Sequence, residues 1–156
     1  MAYTDIITLA DAKTYLRIDD TLTEDDAQIT RMIKASLSQI ERATNYILFA
    51  RAKSYVVEGL SVNVYDYPIN SLTTPATATS VEKSIYTTYT TVVATDLKVT
   101  LNVGYADPLD VPSDLIEVAF EMIDLMYYSP ETGKSIKSDL SELSKMVLSN
   151  YKRFFI

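Results

Sequence analysis

Apolar residues recur every three or four positions at the two ends of this chain and every second position in its middle. Helices are therefore expected outside, with strands between them. Thr8 with Asp11, and Thr23 with Asp26, have the spacing of capping boxes, where a hydroxyl accepts a first-turn amide and the acid reaches back to the cap. The first box predicts a short helix from Leu9 to about Arg17, followed by a turn over Asp19–Leu22. The second predicts a helix from Glu24 onward, with Ile29, Ile33, Leu37, Ile40 and Ala43 or Thr44 as one apolar stripe and Asn45 as a left-handed stop.

From Tyr46 to Tyr105 the period changes. Leu60, Val62 and Val64 alternate with Ser61, Asn63 and Tyr65, and further β-branched runs follow around a polar break near Thr87–Thr91. Between them, "PINSLTTPATATS" holds two prolines and reads as a loop or edge segment. Four or five strands are expected. After Gly104 the chain turns through Pro112 into a helix from Ser113 to about Tyr128, with Ile116, Ala119, Phe120, Ile123, Met126 and Tyr127 as its apolar side. A polar loop, "SPETGKSIKSD", leads to a last helix carrying Leu140, Leu143, Met146 or Val147, and Tyr151. The expected fold class is α+β, mainly α. It forms a single domain over residues 1–156: a small bundle of about four helices (8–45 and 112–156) with a β-rich insert (46–105) between the second and third helices.

Composition narrows the chemistry. The 156 residues include no Cys and no His, which removes thiolate sites, the commonest general base and the commonest transition-metal ligand. A net charge of −7 argues against affinity for phosphate backbones. No apolar run approaches a membrane span, and the opening "MAYTDIITLADAK" lacks the form of a signal peptide. The acidic stretch Asp19–Asp26 fails as a calcium loop, because its sixth position is Glu24 and its twelfth Thr30. Gly133-Lys134-Ser135 lacks the earlier glycine of a phosphate loop, since Tyr128 stands there. No catalytic, cofactor or metal residue is assigned.

Two features remain. Asp110, Asp114, Glu117, Glu121 and Asp124 form an acidic stripe, with no Lys or Arg between Lys98 and Lys134. Like charges at this spacing repel, so the stripe is a solvated face, or faces a basic partner, or borders a lumen to which polyanions must not adhere. The chain closes on Tyr151, Lys152, Arg153, Phe154, Phe155 and Ile156, an apolar end that packs on its own domain or docks on a partner.

The order of motifs resembles one family. Leu9, Lys13 and Tyr15 to Asp19 precede the acidic pair Asp25 and Asp26, then Ile40 and Glu41 near a helix end, then Gly104 and Tyr105, and Val111 and Pro112. This is similar to the phage head–tail connector (adaptor) family of the gp6-like and gp15-like kind. The chain departs from it at Tyr127-Tyr128-Ser129 and in the β insert. The resemblance implies a structural virion protein of the neck, made in the host cytoplasm and not an enzyme. It implies a homo-oligomeric ring, usually dodecameric in that family, beneath the portal protein. Such a ring extends the DNA channel without specific DNA binding and offers a platform for a stopper or tail protein, with no cofactor and no membrane. On that basis Tyr151–Ile156 is expected to dock on the portal and the acidic stripe to face the channel. The Tyr-rich insert would supply area between copies. A generic protein-binding or neck-completion module and a carboxylate-dependent enzyme are the alternatives.

Overall fold

Thr8 caps helix α2 (Leu9–Leu16) as its spacing predicts: the Asp11 amide donates to the Thr8 hydroxyl and the Thr8 amide to the Asp11 carboxylate, both at 3.1 Å. The structure, a computed structural model, describes residues 2–74, 79–82, 90–94, 98–128 and 139–152. One helical turn, α1 (Tyr3–Ile6), precedes α2. It was not expected from the sequence, and it places the strands after the third helix rather than the second. A single turn is too short to show a 3.6-residue period.

The second expected capping box does not form. Helix α3 (Asp26–Thr44) starts after Asp25, whose side chain makes no cap bond, and Thr23 contributes only its carbonyl, to the Asp26 amide at 3.3 Å. The Asp26 carboxylate turns instead to Lys13, 2.5 Å away. Lys13 is only 3% exposed and also donates to the carbonyls of Leu22 (2.7 Å) and Asp20 (3.3 Å). A buried ammonium must be surrounded by acceptors, so the acidic turn folds around it. Asn45 does end α3 in the left-handed region, at φ 61°.

Two three-stranded antiparallel sheets follow. β1 (Arg51–Val56), β6 (Lys98–Val103) and β3 (Ile69–Thr74) pair in the order β1-β6-β3. β2 (Ser61–Val64), β5 (Thr90–Val93) and β4 (Thr79–Glu82) pair in the order β2-β5-β4. Six strands among the described residues exceed the four or five expected, because the proline-bounded segment read as a loop or edge supplies two edge strands. Alternation on central β6 sends Val99, Leu101 and Val103 inward, onto Ile47, Val57, Val64 and Val92. Leu60 was expected to alternate inward, but it sits beside the turn at Gly59 and is 69% exposed.

A 3₁₀ turn (Pro108–Asp110) leads into α4 (Ser113–Tyr128), and the last helix, α5, spans Glu142–Tyr151. The inward face of α4 is Leu115, Val118, Ala119, Met122 and Ile123. Only Ala119 and Ile123 were on the expected apolar side, and Ile116, Phe120, Met126 and Tyr127 lie at the margin of the core. Helix α4 is apolar over most of its circumference, so α2, α3 and α5, which all touch it, decide which arc is buried. Of the residues expected on the apolar side of the last helix, Leu140 is buried and Tyr151 packs on the core. Of the alternatives Met146 and Val147 it is Val147 that packs there, while Leu143 is exposed and buried Leu148 was not expected. The polar loop at 129–139 lies outside the described residues except for Asp139, as does the polar break over 87–89. Among the described residues, no helix is long and apolar enough to cross a membrane.

Candidate functional site

The acidic stripe divides into two groups. Glu121 accepts from the Ser141 amide (2.5 Å), the Ser141 hydroxyl (2.9 Å) and the Ser144 hydroxyl, holding the start of α5. Burial alone would raise its carboxyl, but the hydrogen bonds from Ser144 and Ser141, with Lys145 nearby, hold it below the ordinary glutamate value. Asp114 accepts from the Tyr151 hydroxyl at 2.9 Å, fixing the other end of α5. These two carboxylates are engaged within the subunit. Asp110 and Glu117 are exposed, and Asp124 is partly so.

Tyr15 of α2 lies across this side of α4, its ring stacked on Phe120 with centroids 4.9 Å apart. Burial, then the charges of Asp124, Glu117 and Glu121, raise its hydroxyl above the ordinary tyrosine value. Ile6, Asp11, Thr14, Tyr15, Ile116 and Phe120 line an open groove of about 390 Å³ here. An apolar floor with acids on its rim fits a segment that carries basic side chains beside small or apolar ones.

Of the expected docking tail, Tyr151 is held inward. It bonds to Asp114 and packs edge-on against Tyr46, centroids 5.1 Å apart. Burial, then its bond to Asp114, raises the Tyr151 hydroxyl to about 12. Lys152 caps α5 and is exposed, whereas Arg153, Phe154, Phe155 and Ile156 lie outside the described residues. The Tyr127-Tyr128 departure from the family pattern has a structural use. Tyr127 donates to Asp25 and Tyr128 to the Leu16 carbonyl, each at 2.7 Å, tying the end of α4 to the acidic turn.

The buried hub at Glu41 was noted in the sequence only as part of a motif. This residue, 7% exposed, accepts from Tyr3 (2.7 Å), the Leu48 amide (2.8 Å) and the Arg51 guanidinium (2.8 Å), so α1, α3 and β1 meet on one carboxylate. A charged residue in register with an apolar stripe was the available signal. Also missed was a basic face on α3, formed by exposed Arg31, Lys34 and Arg42, whose spacing is legible in the sequence. Among the described residues, no group of three or more acidic, His or Cys side chains could hold a metal ion.

Buried polar groups thus lock the elements together, and charged faces turn outward. The model of the phage gp6-like head–tail connector protein family matches residues 6–91. The chain belongs to that family, and is thus a structural protein of the virion neck and not an enzyme. Solved structures with a similar fold come from the virion of a native gene transfer agent particle (16% identity, TM-score 0.74, covering 100% of this chain and 94% of that one) and the neck of an empty particle computed with C6 symmetry (16%, 0.75, 99% and 92%). A third is from the neck of a native particle computed with C12 symmetry (13%, 0.72, 99% and 92%). At these identities the likeness is one of fold. No curated protein sequence matches the chain.

Proposed function

We propose that this protein is an adaptor subunit that closes, with copies of itself, into a ring of twelve beneath the portal. The ring extends the DNA channel and receives a stopper or tail protein on its other side. Family membership over residues 6–91 is the observation that carries this reading. The similar folds in particle necks computed with C6 and C12 symmetry support a ring, and twelve copies suit both. A chain of net charge −7 suits a conduit that duplex DNA must traverse without adhering.

The tail docks on the portal. Because Tyr151 is latched to Asp114, the docking segment is Lys152 to Ile156, two basic and three apolar residues leaving a fixed helix end. Electron microscopy of the purified protein with and without portal rings tests the assembly. A chain ending at Tyr151 should keep the wild-type melting temperature and lose portal binding. If that chain unfolds, the tail belongs to the core; if it still binds, docking lies elsewhere. The α4 carboxylates have a second role open to them at the channel wall, and Lys substitutions at Glu117 and Asp124 separate that role from a contact between copies.

A further inference from the structure

The two charged helix faces point away from each other. At roughly 100° per residue, Arg31, Lys34, Ser38 and Arg42 fall on one side of α3. The buried stripe Ile29, Ile33, Leu37 and Ile40 falls on the other side, packed in the same core as α4. On α4, Glu117 and Asp124 likewise lie opposite Leu115, Val118 and Met122, with Glu121 between them held by the start of α5. Each subunit therefore shows a basic helix face outward from α3 and an acidic one outward from α4.

Four other basic side chains serve the subunit itself: Lys13, Arg51, Lys53 and Lys145 are paired with Asp26, Glu41, Asp66 and Glu142. Lys98, by contrast, is exposed on β6, and Arg17 lines a pocket with Asp124 and Tyr128 at the edge of the acidic face. Arg31, Lys34 and Arg42 make no hydrogen bond or ion pair with any described residue, and neither do Glu117 and Asp124. Shape agrees with charge. The acidic side holds the open groove floored by Ile6, Tyr15, Ile116 and Phe120. The basic side has small residues, Ala35 and Ser38, between its cations, which lets a helix approach closely while the long side chains reach the rim.

We infer that the α3 face of one copy seats on the α2–α4 groove of the next, with Arg31, Lys34 and Arg42 meeting Glu117 and Asp124. Because the two faces differ, the contact is head-to-tail, and a fixed rotation between successive copies closes it into a ring. This inference rests on the ring assembly proposed above and names the surfaces that make it.

Four full-length chains test it beside the wild type, each assembled with portal rings of the same phage and counted by electron microscopy. They are Glu117→Lys/Asp124→Lys, Arg31→Glu/Arg42→Glu, the chain carrying all four changes, and the neutral Glu117→Gln/Asp124→Asn. Each single-face reversal should form at least tenfold fewer rings. An equal mixture of the two should restore them by alternation, and so should the chain reversed on both faces. The neutral chain should assemble more weakly and lose the salt sensitivity of the wild type. If the Lys chain forms rings normally and these hold duplex DNA at low salt, the carboxylates face the lumen and the inference falls. It falls equally if neither reversal changes assembly, or if neither the mixture nor the fourfold chain recovers rings. If the wild type forms no ring on the portal, the adaptor assembly itself is wrong.

Discussion

Glu41 of α3 and Arg51 of β1 meet in an ion pair at 2.8 Å, and this pair joins the helical layer to the strands. The carboxylate lies at the junction of two hydrophobic clusters, one of helices and one of strands. Arg51 also sits over the Phe49 ring, 4.9 Å from its centroid, and Phe49 packs edge-on to Tyr3. One acid and the three groups that donate to it thus tie helix to strand, beside the backbone bonds that Asn45 and Ile47 share with Tyr67.

Replacing Glu41 with Ala should destabilise the fold by about 2–4 kcal/mol, because the Leu48 amide and the Tyr3 hydroxyl lose their acceptor and Arg51 its counter-charge. Denaturant unfolding measures this. A loss under about 0.5 kcal/mol would mean that the junction is held by packing alone.

Lys13 gathers the acidic turn around its buried ammonium. Lys13→Met keeps the buried stem but leaves the Asp20 and Leu22 carbonyls and the Asp26 carboxylate without their donor. It should cost about 1–3 kcal/mol, while EDTA leaves the wild-type melting temperature unchanged. A calcium-dependent rise of several degrees in the wild type would contradict this.

Gly104 and Gly59 should respond differently to Ala. Both have positive φ, 106° and 76°, but a Cβ on Gly104 would stand 2.2 Å from the Phe49 carbonyl oxygen, whereas nothing lies within 4 Å of one on Gly59. Gly59→Ala carries only the left-handed strain, about 1 kcal/mol. Gly104→Ala adds a backbone clash and should exceed it by about 2 kcal/mol or more. Equal melting temperatures for the two variants would refute the close approach.

Glu121 makes the attachment of α5 sensitive to acid. Its folded value is lowered, so its contribution is complete above the ordinary glutamate range and is lost as the pH falls through the lowered value. Hydrogen exchange of the α5 amides should accelerate from pH 5 towards pH 3 beyond the intrinsic trend. In Glu121→Gln that excess should vanish, with faster exchange already at pH 7. If the variant matches the wild type at every pH, Ser141 and Ser144 do not depend on this carboxylate.

Much of this protein was legible in its residues. The stripe on α3, the Thr8 box, the Asn45 stop, the switch to period two after Tyr46 and the return to helix after Pro112 are local patterns. Local sterics and hydrogen bonding set them within a few residues. The absence of His and Cys and the ordered run of family motifs were equally readable. What the sequence could not show depended on residues far apart. The inward arc of α4 is chosen by α2, α3 and α5. The partner of Asp26 is Lys13 and not its own helix cap, because a buried ammonium outweighs a surface hydroxyl. Asp114 and Glu121 look equivalent to Glu117 and Asp124 along the chain, yet the first two hold α5 and the others face outward. Spacing places a charge on a side of its helix, and only the packing of the other helices determines which charges are satisfied inside the subunit and which remain for a neighbour.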